Sequence, residues 1–121
     1  MTDSVAHAHH SIDYIEFSVN DMAESQRFFS EAFGWSFNDY GPTYAGIKRE
    51  GGEAGGLCVA PDAVRGSSPL VVLYSDDLDA TLATVREAGG TIEKEPFEFP
   101  GGRRFEFRDP SGNALAVWAS K

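Results

Sequence analysis

Two glutamates and a few aromatic residues are the groups in this 121-residue chain whose types and spacing could do chemistry. Glu16 stands two residues from Tyr14 in an alternating stretch, so both fall on one face of a strand. Glu106 lies between Phe105 and Phe107. If the two phenylalanines are core, Glu106 points away from it; the alternation also allows the reverse. A carboxylate held dry among aromatic rings favours its protonated form, which suits proton transfer, and an ionised one anchors a cation. A solvated strand-face carboxylate is the plainer role for Glu16. Tyr74 and Trp118 join Tyr14 as candidate ligand-stacking aromatics. Tyr40, Tyr44 and Trp35 are further aromatics that a core of this size would also absorb. Cys58 has no neighbouring His or basic cluster to activate a thiolate, and reads as a small buried hydrophobe. Arg103 and Arg104 form either an anion site or a solvated edge pair. His7, His9 and His10 could bind a metal, but belong more naturally to a polar tail over residues 1–11, outside the fold.

The elements that must position these groups can be bounded first by composition. The length fits one domain, and the chain is 41% hydrophobic and 24% charged, as ordinary globular chains are. A net charge of −9 leaves no basic patch for phosphates, which excludes a nucleic-acid partner and an anionic membrane surface. One cysteine allows no intrachain disulfide and points to a reducing compartment. No apolar run is long enough for a membrane span, and no signal-peptide core is seen, so a cytoplasmic location is expected. P-loop, dinucleotide-fingerprint, CxxC and HExxH motifs are all missing from the sequence.

Along the chain, residues 12–20 alternate with Ile15, Phe17 and Val19 on one face. Asp21 is placed to cap a helix over Met22–Phe33, which Gly34 ends. Residues 35–38 and 44–48 read as strands, 50–56 as a glycine-rich loop, and 57–60 as a short fourth strand. Residues 61–69 read as a linker. The pattern then starts again: a strand at 70–75, a cap at Asp76 or Asp77, a helix over 78–88 with Leu78, Leu82 and Val85 inward, and a stop at Gly89-Gly90. Residues 91–95 and 97–99 are extended. The Asp109-Pro110-Ser111-Gly112-Asn113 turn joins the two strands of a closing hairpin.

The restart is an internal repeat with an offset of 56 residues, 77 − 21, which brings Asp77 onto Asp21, Leu73 onto Phe17, Val85 onto Phe29 and Gly90 onto Gly34. Each half is a βαβββ module, one over about 12–60 and one over about 70–119, in a single α+β domain over 12–119. Small modules with one apolar face must pack to bury it. Curved mixed sheets around a cleft are the expected architecture. Tyr14, Glu16, Leu70, Val72, Tyr74, Ala116 and Trp118 would lie on the faces opposite the helices.

Four segments in this order carry a family pattern: residues 14–21, Phe28-Phe29 through Gly34-Trp35, residues 76–80 through Gly89-Gly90, and Phe107 through Asn113. The chain resembles the vicinal oxygen chelate superfamily of glyoxalase-type lyases, bleomycin-resistance proteins and extradiol dioxygenases. The resemblance implies paired βαβββ modules in a half-open barrel, often completed by a homodimer. It also implies metal ligands, usually His, Gln or Glu, at four strand positions, which fall here at Tyr14, near Cys58, at Leu70 and at Ala116. Leucine and alanine offer no lone pair, so these positions disfavour a divalent metal, and no cofactor is expected. The expectation is a metal-free small-molecule binding protein, with Tyr14, Glu16, Tyr74, Glu106 and Trp118 lining its cleft and a cationic or aromatic ligand. The alternatives are a metal-dependent lyase, isomerase or dioxygenase with an unusual site, and an accessory domain whose cleft is vestigial.

Overall fold

A computed structural model describes residues 7–60 and 69–121. The linker over 61–69 and the start of the expected tail therefore fall largely outside the described residues. The chain divides into two compact units, one built on Tyr14–Pro69 and the other on His7–Asp13 with Leu70–Lys121. A short N-terminal segment thus joins the second unit.

In the first unit, β1 (Ile12–Val19) leads to α1 (Met22–Phe33), then to β2 (Phe37–Asp39), β3 (Tyr44–Arg49) and β4 (Gly52–Val59). The sheet order is β2-β3-β4-β1, with β1 parallel to β4 and the other neighbours antiparallel. In the second unit, β5 (Leu70–Tyr74) leads to α2 (Leu78–Ala88), β6 (Thr91–Phe99), β7 (Gly102–Arg108) and β8 (Ala114–Ala119). Its order is β6-β7-β8-β5, with β5 parallel to β8. Both units thus share one βαβββ topology, and the fold is α+β with mixed sheets.

The repeat is also chemical. Asp21 and Asp77 are both in extended backbone, and their carboxylates accept the backbone N–H of Glu24 at 3.0 Å and of Ala80 at 3.1 Å. Each satisfies a first-turn donor that the helix cannot. The helix ends slip by one residue. Gly34 (φ 72°) closes α1, whereas Gly89 (φ 105°), not Gly90, takes the left-handed position after α2. Gly90 instead occupies the place of Trp35: their N–H groups donate to Val85 and Phe29 carbonyls respectively.

Register sorts the side chains. In the second unit Leu78 and Leu82 of α2 pack with Phe105, Val117 and Ala119, and Leu73, Val85, Ile92 and Phe107 close around them. Phe105 is fully buried. Of the two orientations the alternation allowed, Glu106 takes the one away from this core. In the first unit Phe29 stacks on Trp35 at 4.7 Å and lies 6.1 Å from Phe17, which covers the Ile15–Phe17 side of β1. This helix is sparsely covered: α1 has no buried residue, and Phe28 and Phe33 are 54% and 63% exposed.

The stretch expected as a glycine-rich loop, residues 50–56, is corrected by the structure. Gly52–Gly56 are strand, and β4 is eight residues long. Pairing overrides local flexibility here, because β4 lies between β3 and β1 and hydrogen-bonds to both. Its glycines are there for space. A Cβ on Gly55 would stand 1.9 Å from the carbonyl oxygen of Ile15, and one on Gly56 would meet the Tyr44 and Tyr14 hydroxyls at 2.1 and 2.6 Å.

Candidate functional site

The polar face of the first unit is built around a tyrosine pair. Tyr14 and Glu16 are on one face of β1, and Tyr44 reaches over Gly56 from β3. The Tyr44 hydroxyl donates to Glu16 Oε2 at 3.0 Å, so the Tyr14 hydroxyl, in close contact with Tyr44, donates to the Tyr44 oxygen. The result is a short chain of hydrogen bonds, Tyr14 to Tyr44 to Glu16, ending on a carboxylate. Its members strengthen one another in a half-buried setting. Burial pushes the Tyr14 phenol far above its ordinary value, and burial together with the Glu16 charge does the same to Tyr44. Both hydroxyls remain donors through the physiological range.

A second carboxylate stands on the same face. Glu53 Oε2 accepts from Tyr40 at 2.5 Å and from Asn38 at 2.7 Å. The hydrogen bond to Glu53 raises the Tyr40 pKa. Gly46 leaves room for Glu53, whose Oε2 would lie 2.2 Å from a Cβ there. Glu53 escaped sequence reasoning because it fell in the supposed loop.

The tyrosine chain predicts a pH dependence. A phenol whose pKa is raised by folding contributes stability that is fully present below the unfolded value, about 10. That contribution is lost as pH rises beyond it, since the unfolded chain ionises first. Stability is therefore expected to fall above about pH 10, and Tyr44→Phe to flatten that fall. At neutral pH Tyr44→Phe is expected to cost about 1–2 kcal/mol, because Glu16 loses a donor. Thermal unfolding followed across pH checks both; a variant curve parallel to wild type would count against the assignment.

The corresponding face of the second unit is aromatic. Tyr74 and Trp118 are register partners across β5 and β8, with ring centroids 5.1 Å apart and planes at 72°. His7 stacks on Tyr74 at 5.0 Å and meets Trp118 edge-on at 5.1 Å. Asp13 joins the group through both carboxylate oxygens, one 2.8 Å from His7 Nδ1 and the other accepting the Trp118 indole N–H at 3.0 Å. A half-buried indole needs such an acceptor, and that need is the one signal that could have pointed to Asp13.

The histidines are thus not outside the fold. His7 belongs to the aromatic group, His9 Nδ1 accepts the Asp76 N–H at 2.9 Å, and His10 Nε2 lies 2.8 Å from the Thr81 hydroxyl. Backbone bonds between this segment and Tyr74 align it with β5. Expected as part of a tail, the segment is held because it supplies partners to the N-terminal end of α2.

Glu106 faces the same side as Trp118, but it is neutralised. Arg104 donates to it at 2.7 Å, Lys94 stands 4.0 Å away, and Arg104 also lies over the Phe97 ring at 5.6 Å. Arg103 contacts Asp79 at 3.5 Å, so both arginines of the expected pair are engaged within the protein. Glu16 and Glu106 belong to different units and each has its own partners.

The four family metal positions hold one phenol already in a hydrogen bond (Tyr14), a half-buried thiol (Cys58), a leucine and a fully buried alanine (Ala116). Leu70 and Ala116 have no donor atom. Among the described residues no group of three or more His, Cys, Asp or Glu side chains is arranged to hold an ion. This donor set does not fit a divalent metal. No described helix is long and apolar enough to cross a membrane.

Comparison with known proteins agrees with the topology. A putative glyoxylase, CFP32 of Mycobacterium tuberculosis, is 25% identical over 115 residues, covering 88% of this chain and 44% of that protein. The chain therefore spans less than half the length of that relative. The solved structure of Streptomyces coelicolor methylmalonyl-CoA epimerase in complex with 2-nitronate-propionyl-CoA superposes with a TM-score of 0.72 at 16% identity, covering 93% of this chain and 98% of the epimerase. The Mn(II)-bound glyoxalase of Novosphingobium aromaticivorans gives 0.68 at 23% identity, covering 93% of this chain and 39% of its own. At these identities the structural likeness shows the fold. Residues 11–117 match the model of the Glyoxalase/Bleomycin resistance protein/Dioxygenase superfamily, and to that superfamily this chain belongs.

Proposed function

We propose that this protein is a metal-free small-molecule binding protein of the glyoxalase/bleomycin-resistance type. The observation that carries this reading is the donor set: two of the four family ligand positions, Leu70 and Ala116, are hydrocarbon. The faces that bear those positions instead present phenols, carboxylates and an aromatic cluster. Such groups suit a ligand that is aromatic, cationic or both. Tyr74 and Trp118 offer ring faces, and Glu16 is a carboxylate held in place by Tyr44. We assign ligand contacts to Tyr14 and Glu16 on one unit and to Tyr74 and Trp118 on the other. Glu106, tied to Arg104, shapes its face rather than anchoring a charge. A homodimer in a reducing, cytoplasmic compartment completes the proposal, on the family's habit and the single cysteine.

Calorimetric titration of the full chain with a panel of aromatic cations, benzamidinium among them, tests the assignment. Saturable binding is expected, weakened about tenfold by Trp118→Leu or Glu16→Gln. Binding that neither substitution changes would overturn it.

A further inference from the structure

We propose a second ligand site in the first unit, on the sheet side opposite Tyr14 and Glu16, for an amphiphilic organic anion: a ring system carrying one carboxylate. A cavity of about 380 Å³ opens there, lined by Ile15, Phe17, Trp35, Ile47, Ala54 and the pair Lys48-Arg49. That volume is in the range of small-molecule sites. Its floor is apolar and aromatic, and Ile15 remains 37% exposed beside it.

The two basic residues in its lining separate this cavity from an ordinary surface dent. The chain carries 19 acidic and 10 basic side chains. Arg27, Arg86, Lys94, Arg103, Arg104 and Arg108 each lie within 4.0 Å of a carboxylate. Among the described residues Lys48 and Arg49 have no such partner, and they are adjacent. Glu53, the register partner of Lys48, is engaged by Tyr40 and Asn38 over Gly46. Strict alternation would send consecutive residues to opposite faces. The register shift between Ile47 and Lys48 breaks it, and Ile47, Lys48 and Arg49 all line the one cavity. An apolar lining with two cations that pair with no carboxylate among the described residues matches a hydrophobic carboxylate and discriminates against its neutral analogue. This site shares no residue with the contacts assigned above, so each stands or falls by itself.

Naphthoate is a suitable probe, with uncharged naphthamide as its control. In a nitrogen-15 correlation titration of the full chain, naphthoate is expected to give saturable shifts at the Trp35 indole and at Ile47, Lys48, Arg49 and Ala54. Naphthamide is expected to bind about tenfold more weakly. The double substitution Lys48→Glu with Arg49→Glu should weaken naphthoate by a similar factor while leaving the far-ultraviolet circular dichroism unchanged. Equal affinity for the two probes would overturn the proposal. So would shifts centred on Tyr14, Tyr44 or Trp118, or the absence of saturable shifts. A sedimenting dimer whose Trp35 resonance ignores naphthoate would show that a second copy covers the cavity, and would overturn it as well.

Discussion

Phe105→Ala is expected to destabilise the protein by about 3–5 kcal/mol, the range for deleting a buried aromatic ring. The ring has no exposed surface and sits at the centre of the cluster formed by Leu78, Leu82, Val117 and Ala119. The surrounding atoms belong to a helix and two strands, whose backbone bonds prevent collapse into the space left behind. That is a large fraction of a typical domain's stability of about 5–15 kcal/mol. Denaturant unfolding watched by far-ultraviolet circular dichroism measures it. A cost below about 1 kcal/mol would mean that the site relaxes in a way close packing does not allow.

The second large effect is expected at Gly55. An alanine methyl would stand 1.9 Å from the Ile15 carbonyl oxygen, and that obstacle is backbone within a parallel strand pair. No rotamer change can relieve the overlap, so β1 and β4 must separate. Gly55→Ala is expected at the upper end of overpacking costs, about 3 kcal/mol. At this chain length that corresponds to a fall in Tm of about 10 °C. Gly56→Ala is a useful comparison, because its methyl would meet the Tyr44 and Tyr14 hydroxyls, which are side-chain ends that can move. Gly56→Ala is expected to be milder in stability while disturbing the Tyr14–Tyr44–Glu16 chain. A Gly55→Ala protein as stable as wild type would contradict the close approach.

These two sites show what was and was not legible in the sequence. The core of the second unit was legible, because Leu78, Leu82 and Val85 recur at helical spacing and Phe105 and Phe107 alternate with Glu106. Both helices begin and end where the Asp caps and glycines place them. Repetition of the whole module was legible from the same signals. The course of β4 was not. Four glycines between residues 51 and 56 are loop chemistry by local rules, and only pairing on both sides makes Gly52–Gly56 strand. The same error hid Glu53, which acquires its partners through the β3–β4 register.

The candidate site was legible by face rather than by partner. Strand alternation placed Tyr14, Glu16, Tyr74 and Trp118 on the sides away from the helices. It carried no information about who bonds whom. Tyr44 reaches Glu16 only because Gly56 leaves the path open, and Glu106 is claimed by Arg104 two residues earlier in its own strand. The places of His7 and Asp13 beside Tyr74 and Trp118 were missed for a different reason. Their roles depend on a polar N-terminal segment, with no hydrophobic period, lying along β5. A polar run of that kind has no sequence signature distinguishing it from a tail.

Leu70 and Ala116, at two of the four family ligand positions, carry no donor atom for a metal, and the metal-free function proposed above rests on that. Elemental analysis of tag-free protein, before and after mild chelation and paired with thermal unfolding, tests it most directly. Substoichiometric metal and an unfolding temperature that chelation leaves unchanged are expected. One divalent ion per chain, removed together with a fall in Tm, would contradict it.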